Sequence, residues 1–147
     1  MGVPRTMPDI HGGDGFDVLD GEARVLDEHG EDLTEAMVAG AEAMVEFAKE
    51  HQVEWAYLTD MSAACGTQVI FDGCRYDEPP SYQQGVGVAA ALLIRNDIPV
   101  VSYRDFRTLE QLRLKAQPDS TPDPEAIDHH ETQWCRDYFS AAAETDQ

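Results

Sequence analysis

Hydrophobic and polar positions alternate between two periods along this chain, and the changes of period mark its elements. Phe16, Val18 and Leu19, then Asp20-Gly21, then Ala23, Arg24 and Val25 read as a hairpin on an Asp-Gly turn. The Gly-, Pro- and Asp-rich residues 1–15 read as a surface loop. Met37, Ala41, Met44 and Ala48 recur at i+4, i+3 and i+4, the apolar stripe of a helix running to about residue 50. Asp32 is the expected cap of that helix, with Glu35 as its reciprocal partner. Val53 to Leu58 is a β-branched and aromatic run and reads as a strand. Gln68 to Phe71 reads as a short strand, and residues 74–84 hold Pro79-Pro80 and read as irregular.

Val86 to Arg95 is nearly all apolar, as in a helix packed on a sheet, and Ile98 to Tyr103 reads as the second clear strand. Asp105 is placed to cap a helix from Phe106 to Ala116. A β-α-β order predicts parallel strands joined by a right-handed crossover. The expected fold is α/β, a small three-layer sandwich with a mainly parallel sheet. It occupies residues 1–116, and residues 117–147 form a Pro-containing linker and a C-terminal helix. Asp123-Pro124 reads as the cap and first residue of that helix, with Ile127, Trp134, Tyr138 and Ala141 on one stripe.

Composition narrows the function. The 147 residues carry a net charge of −19, with the acidic residues spread along the chain and only Lys49 and Lys115 as lysines. Phosphate binding needs a basic footprint, so no nucleic-acid partner is expected. A dispersed acidic, lysine-poor surface points to a halophilic cytoplasm, where molar salt shortens the Debye length to about 3 Å and screens the self-repulsion. No apolar run reaches the length of a membrane span and no signal peptide is legible, so no membrane partner and a cytoplasmic location are expected. Cys65, Cys74 and Cys135 are widely spaced and odd in number, which is no disulfide framework.

The candidate chemistry sits in Thr59-Asp60-Met61-Ser62-Ala63-Ala64-Cys65-Gly66, directly after the first clear strand. Loops beyond the carboxyl ends of strands in open α/β sheets carry active sites. A thiol there is a metal ligand, a nucleophile or simply a small buried hydrophobe. The three cysteines lack the C-x₂-C spacing of common zinc and iron-sulfur sites. Gly85-Val86-Gly87-Val88-Ala89-Ala90 matches G-x-G-x-x-A, with Asp105 20 residues beyond Gly85, but Pro79-Pro80 rather than a buried strand precedes it. What remains of that motif is a helix N-terminus opened by glycines, able to receive partial negative charge. Asp14, Asp17 and Asp20 stand three apart, unlike a calcium loop, and read as a solvated acidic loop. His130-Glu131 begins an H-E-x-x-H pattern that Trp134 breaks, so His129 and His130 are expected on the surface of the last helix.

Several stretches, in order, resemble the 2-thiouracil desulfidase family. Gly13-Asp14-Gly15, Asp17-Val18-Leu19, Gly21, Ala23-Arg24-Val25, Gly30, Asp32 and Thr34 follow its N-terminal pattern. Ser62-Ala63-Ala64-Cys65-Gly66 is similar to its S-P-S-C-G, and Ile70-Phe71-Asp72-Gly73 to its I-Y-D-G. Gly85 to Leu93 is similar to its G-x-G-V-T-A-A-L-L, and Ile98 to Ser102 to the closing strand. The resemblance implies a [4Fe-4S] cluster held by three cysteines, with one iron open to the sulfur of a thiolated pyrimidine such as 2-thiouracil. Water then replaces sulfur on carbon, with a carboxylate and the motif serine assisting. It implies Cys65 as a cluster ligand and Ser62 as the catalytic serine, with a thiolated nucleobase as the small-molecule partner. The family's C-L-L-G and C-P-E segments have no counterpart among the 147 residues, so two of the three implied ligands are missing. An iron-sulfur desulfidase, or a domain that kept the fold and lost the site, are the two expectations, and a start codon placed too late would account for the gap in the first.

Overall fold

The computed structural model describes residues 5–145. Packing divides the chain after Ser102 into two compact units, so the helix that begins at Phe106 counts with the second, while composition placed the boundary at residue 116.

The first unit opens with β1 (Asp9–His11), α1 (Gly15–Leu19) and β2 (Arg24–Leu26). β1 and β2 pair antiparallel, with Ile10 opposite Val25, and both side chains are buried. Residues 16–19, expected as a strand, are therefore helical. The cause is a capping box: the Asp14 carboxylate accepts the N–H groups of Phe16 and Asp17, and the Asp17 carboxylate accepts that of Asp14. The same box explains Asp14 and Asp17 as helix caps rather than a loose acidic loop. β2 takes its partner from residues expected as loop.

α2 (Thr34–Glu50) follows. Asp32 acts one residue earlier than expected, accepting the Thr34 N–H at 2.9 Å, while Leu33 is the cap residue and the Glu35 half of the box is not formed. Arg24 pairs with Asp32, and these bonds hold its carboxyl down at about 2, the Thr34 hydrogen bonds contributing most. The helix buries Ala41, Val45 and Ala48, with Met37 and Met44 packed at the edge of the stripe. β3 (Ala56–Leu58) and β6 (Val100–Ser102) form the parallel pair anticipated from the sequence, with Tyr57 opposite Val101. Between them lie β4 (Val69–Phe71) and β5 (Tyr82–Gln84), an antiparallel pair, and α3 (Val88–Arg95). α3 is the central helix. Val88, Ala89, Ala90, Ala91 and Leu93 are buried, and it packs against α1 and α2. Its row of alanines permits that close approach on several sides.

The second unit holds α4 (Phe106–Ala116), a single 3₁₀ turn at His129–Glu131 and α5 (Gln133–Thr145). α4 has the expected bounds, and Asp105 stands at its cap position without a side-chain cap bond. Asp123 accepts the N–H of Glu125 in an isolated turn, and α5 starts ten residues after Asp123, with the Thr132 hydroxyl accepting the Cys135 N–H. Ile127 thus lies before the helix rather than on its stripe. His129, expected on the surface, is 4% exposed. The buried Asp105 carboxylate accepts its backbone N–H at 3.1 Å, and the Trp134 ring lies parallel to its imidazole at 6.0 Å. His130 is exposed as expected. No helix among the described residues is long and apolar enough to cross a membrane.

Candidate functional site

The strand β3 ends at Leu58, and the chain then turns through Asp60 to Thr67 before β4 begins. This is the loop that carries Ser62 and Cys65, and a set of hydrogen bonds to its backbone holds it. The Ser62 hydroxyl accepts the N–H groups of Ala64 and Cys65, both at 3.2 Å, and the Ser62 carbonyl accepts that of Gly66 at 2.8 Å. Ser62 thus closes one tight turn with Cys65 at its crest. Met61, just before, has φ of 57°, a left-handed conformation that a side chain adopts only when its surroundings enforce it.

The loop is clamped from the opposite side by the start of α3. Val88 donates its N–H to the Ala63 carbonyl at 2.8 Å, and Ala89 and Ala90 donate theirs to the Ala64 carbonyl. Gly87 donates to the Gly66 carbonyl at 2.8 Å. The partial negative charge that the sequence assigned to this helix N-terminus is therefore supplied by the carbonyls of the Cys65 loop itself. Such contact requires glycine. A Cβ on Gly87 would lie 2.4 Å from the Ala64 carbonyl carbon and 2.7 Å from the Cys65 nitrogen. On the far side of the same segment, a Cβ on Gly15 would lie 2.3 Å from the Gly87 oxygen. The Asp14 carboxylate reaches the Val86 N–H at 3.3 Å, and Gly15 donates to the Val86 carbonyl at 2.7 Å. The two glycine motifs, Gly13-Asp14-Gly15 and Gly85-Val86-Gly87, are thus one packing unit, with the Cys65 loop stacked on its other face.

Cys65 is half-buried. Burial pushes its thiol pKa up, and a hydrogen bond from Ser62 works in the opposite direction. A thiol held up in this way is mostly protonated near neutral pH. That disfavours a free-standing nucleophile, which needs a depressed pKa. It suits a ligand, because a thiophilic metal displaces the thiol proton on binding.

The other two cysteines are placed elsewhere. Cys74 follows Gly73 in the loop after β4, next to Arg75, whose guanidinium grips the buried Asp9 carboxylate with Nη2–Oδ1 at 2.7 Å and lies over the Phe71 ring. Cys135 is buried in α5, in the second unit. Among the described residues no three His, Cys, Asp or Glu side chains are grouped so as to hold a metal ion. Those residues therefore do not fit a three-cysteine cluster.

Sequence reasoning missed Asp60. Its carboxylate is buried, 4% exposed, and accepts the N–H groups of Met61 and Thr67 across the base of the loop. The available signal was an aspartate just after a strand, a residue type whose carboxylate commonly accepts nearby backbone N–H groups in loops.

Comparison with known proteins places this geometry. The sequence profile described as 2-thiouracil desulfurase matches residues 1–105, which span the first unit and stop before α4. The uncharacterized protein YbbK of Bacillus subtilis (strain 168) is 34% identical over 107 residues, 73% of this chain and 69% of its own. Among solved structures, the [4Fe-4S]-dependent thiouracil desulfidase TudS is similar with a TM-score of 0.62 and 27% identity, over 79% of this chain and 68% of that one. Because that profile covers residues 1–105 of 147, the chain belongs to the 2-thiouracil desulfurase family.

Proposed function

We propose that the Cys65 loop is the site at which this protein removes sulfur from a thiolated pyrimidine such as 2-thiouracil. The reaction takes one water and one thione and gives uracil and hydrogen sulfide. A carbon-sulfur bond breaks, a carbon-oxygen bond forms, and no electrons are gained or lost. The observation that carries this reading is the joining of Ser62 and Cys65 in one turn clamped by α3, in the stretch whose sequence resembles the family's S-P-S-C-G pattern. In this reading Cys65 offers its sulfur to a thiophilic metal group, and the Ser62 hydroxyl holds the turn and lies close to the thiol. Among the described residues no set of three His, Cys, Asp or Glu side chains completes such a site. The lack of a three-ligand set within them also favours the second reading, a domain that retains the fold without turnover.

The two readings separate in one assay. The protein is isolated anaerobically from its own cells, so that every associated ligand travels with it, and is given 2-thiouracil. Equal release of uracil and sulfide, abolished in Cys65→Ala, is expected. Failure of iron-containing wild-type protein to form uracil, or unchanged turnover in Cys65→Ala, would exclude the desulfidase reading.

A further inference from the structure

The sites where a loop carrying a chemically active side chain is held are as informative as the side chain itself. In the Cys65 loop several of the holding devices are backbone: the Ser62 carbonyl on Gly66, the Ala63, Ala64 and Gly66 carbonyls on the start of α3, and the Met61 N–H on the Val69 carbonyl. The remaining two are side chains. One is the Ser62 hydroxyl. The other is Asp60, whose carboxylate ties Met61 at the start of the loop to Thr67 at its end.

We propose that Asp60 is a positioning residue for Cys65. Its Oδ1 accepts the Met61 N–H at 3.0 Å and the Thr67 N–H at 3.3 Å. The first bond, together with the one from Met61 N–H to the Val69 carbonyl at 3.1 Å, stabilises the left-handed turn at Met61. The second closes the ring of residues 60–67. A carboxylate 4% exposed is costly to desolvate, and it persists here because charge-assisted bonds to backbone N–H groups offset that cost. Removing it frees the Thr67 end of the loop, and Gly66 and Cys65 lie immediately before it. Asp60 does not face substrate in this account. It acts through the backbone, by fixing where the Cys65 sulfur points. The inference rests on the reading of this loop as the desulfidation site.

The test compares Asp60→Ala, Asp60→Ser and Asp60→Asn in the full chain. Amide hydrogen exchange is read at Met61 and Thr67, and alkylation of Cys65 and Cys74 is read at one fixed pH by peptide mass spectrometry. Alanine removes the acceptor, and serine is too short to reach Thr67 while keeping a polar group. In both, Thr67 exchange is expected to rise about 10- to 100-fold and Cys65 alkylation about tenfold, with Cys74 unchanged. Asparagine keeps an oxygen at the same place and restores rates close to wild type. A purely structural role would move both cysteines together with a fall in melting temperature, and that result would overturn the proposal. So would an unchanged Thr67 rate in the serine variant, or an asparagine variant as loose as alanine. None of these readouts needs turnover. Failure of the desulfidase reading would leave them as stated, and an active enzyme indifferent to Asp60 would overturn this inference alone.

Discussion

Gly87→Ala is the sharpest perturbation of the contact between α3 and the Cys65 loop. The added Cβ would sit 2.4 Å from the Ala64 carbonyl carbon, 2.5 Å from its oxygen and 2.7 Å from the Cys65 nitrogen. Ordinary contact is about 3.4–4 Å, so the two segments must part by roughly 1 Å. All three obstacles are backbone atoms, and no side chain can rotate out of the way. The φ of Gly87 is −73°, within reach of alanine, so the cost is steric and not conformational. Separation stretches the bonds from Gly87 to Gly66 at 2.8 Å, from Val88 to Ala63 at 2.8 Å and from Ala89 to Ala64 at 2.9 Å. Weakening these, at about 1 kcal/mol net for each bond fully lost, adds to an overpacking cost of about 1–3 kcal/mol. A destabilisation of about 2–4 kcal/mol follows, and for a chain of this size it lowers the melting temperature by about 5–15 °C.

The control is Gly40→Ala, in the middle of α2, where an added Cβ meets nothing within 4 Å. There alanine replaces the poorer helix former, and stability should rise by about 0.5–1 kcal/mol. Thermal melts by circular dichroism in the same buffer decide the matter. A Gly87→Ala melt within about 2 °C of wild type would refute the claim that the α3 contact holds the Cys65 loop. Equal losses in the two variants would mean that glycine replacement as such, and not this contact, was measured.

Three further outcomes are expected. On the proposed desulfidase reading, Ser62→Ala in protein isolated with iron bound should lower uracil formation by about 10²–10⁴-fold, and unchanged turnover would leave Cys65 as the one functional residue of the loop. The melting temperature should climb steeply between dilute buffer and molar potassium chloride, because a net charge of −19 repels itself until screened, and a flat response would sink the halophilic reading. The Asp32 carboxyl is lowered to about 2 by Thr34 and Arg24, so its contribution to stability is present above the ordinary carboxylate range and lost as pH falls toward 2. The deficit of Asp32→Asn in urea melts should therefore shrink on acidification from pH 6, and a deficit that grows would contradict that sign.

How much was legible in the sequence depends on what kind of force set each element. The parallel pair of β3 and β6 and the helices α2, α3 and α4 were legible, because burial of apolar side chains leaves a period in the sequence. α1 was not. Five residues are too few for a period, and a capping box between Asp14 and Asp17 decided against the strand that Phe16, Val18 and Leu19 suggested. β1 was hidden for the same reason, three residues in a Pro- and Gly-rich stretch. The start of α5 was misplaced because Asp123-Pro124 has the chemistry of a helix start and serves an isolated turn instead. His129 is buried by a bond from its own backbone to Asp105, a contact 24 residues apart that no local pattern encodes.

The candidate site divides along the same line. Ser62 and Cys65 were legible as a pair because they lie in one turn, where three residues of spacing fix the geometry. Their support was not, since it comes from Gly87, Ala63 and Ala64 through backbone atoms that any residue type would carry. The glycines were the one visible trace. Read alone, Gly85-Val86-Gly87 suggested a helix N-terminus left open for a partial negative charge. The structure puts the Cys65 loop on one side of this segment and the Gly13-Asp14-Gly15 turn on the other, so the approaching backbone is the protein's own. A glycine motif reports that something comes within reach of a bare Cα. Which partner does so is decided by the burial around it. Here the segment before the helix is enclosed from both sides, so on the proposed reading it is the half-buried Cys65 thiol, and not the helix N-terminus, that meets a ligand.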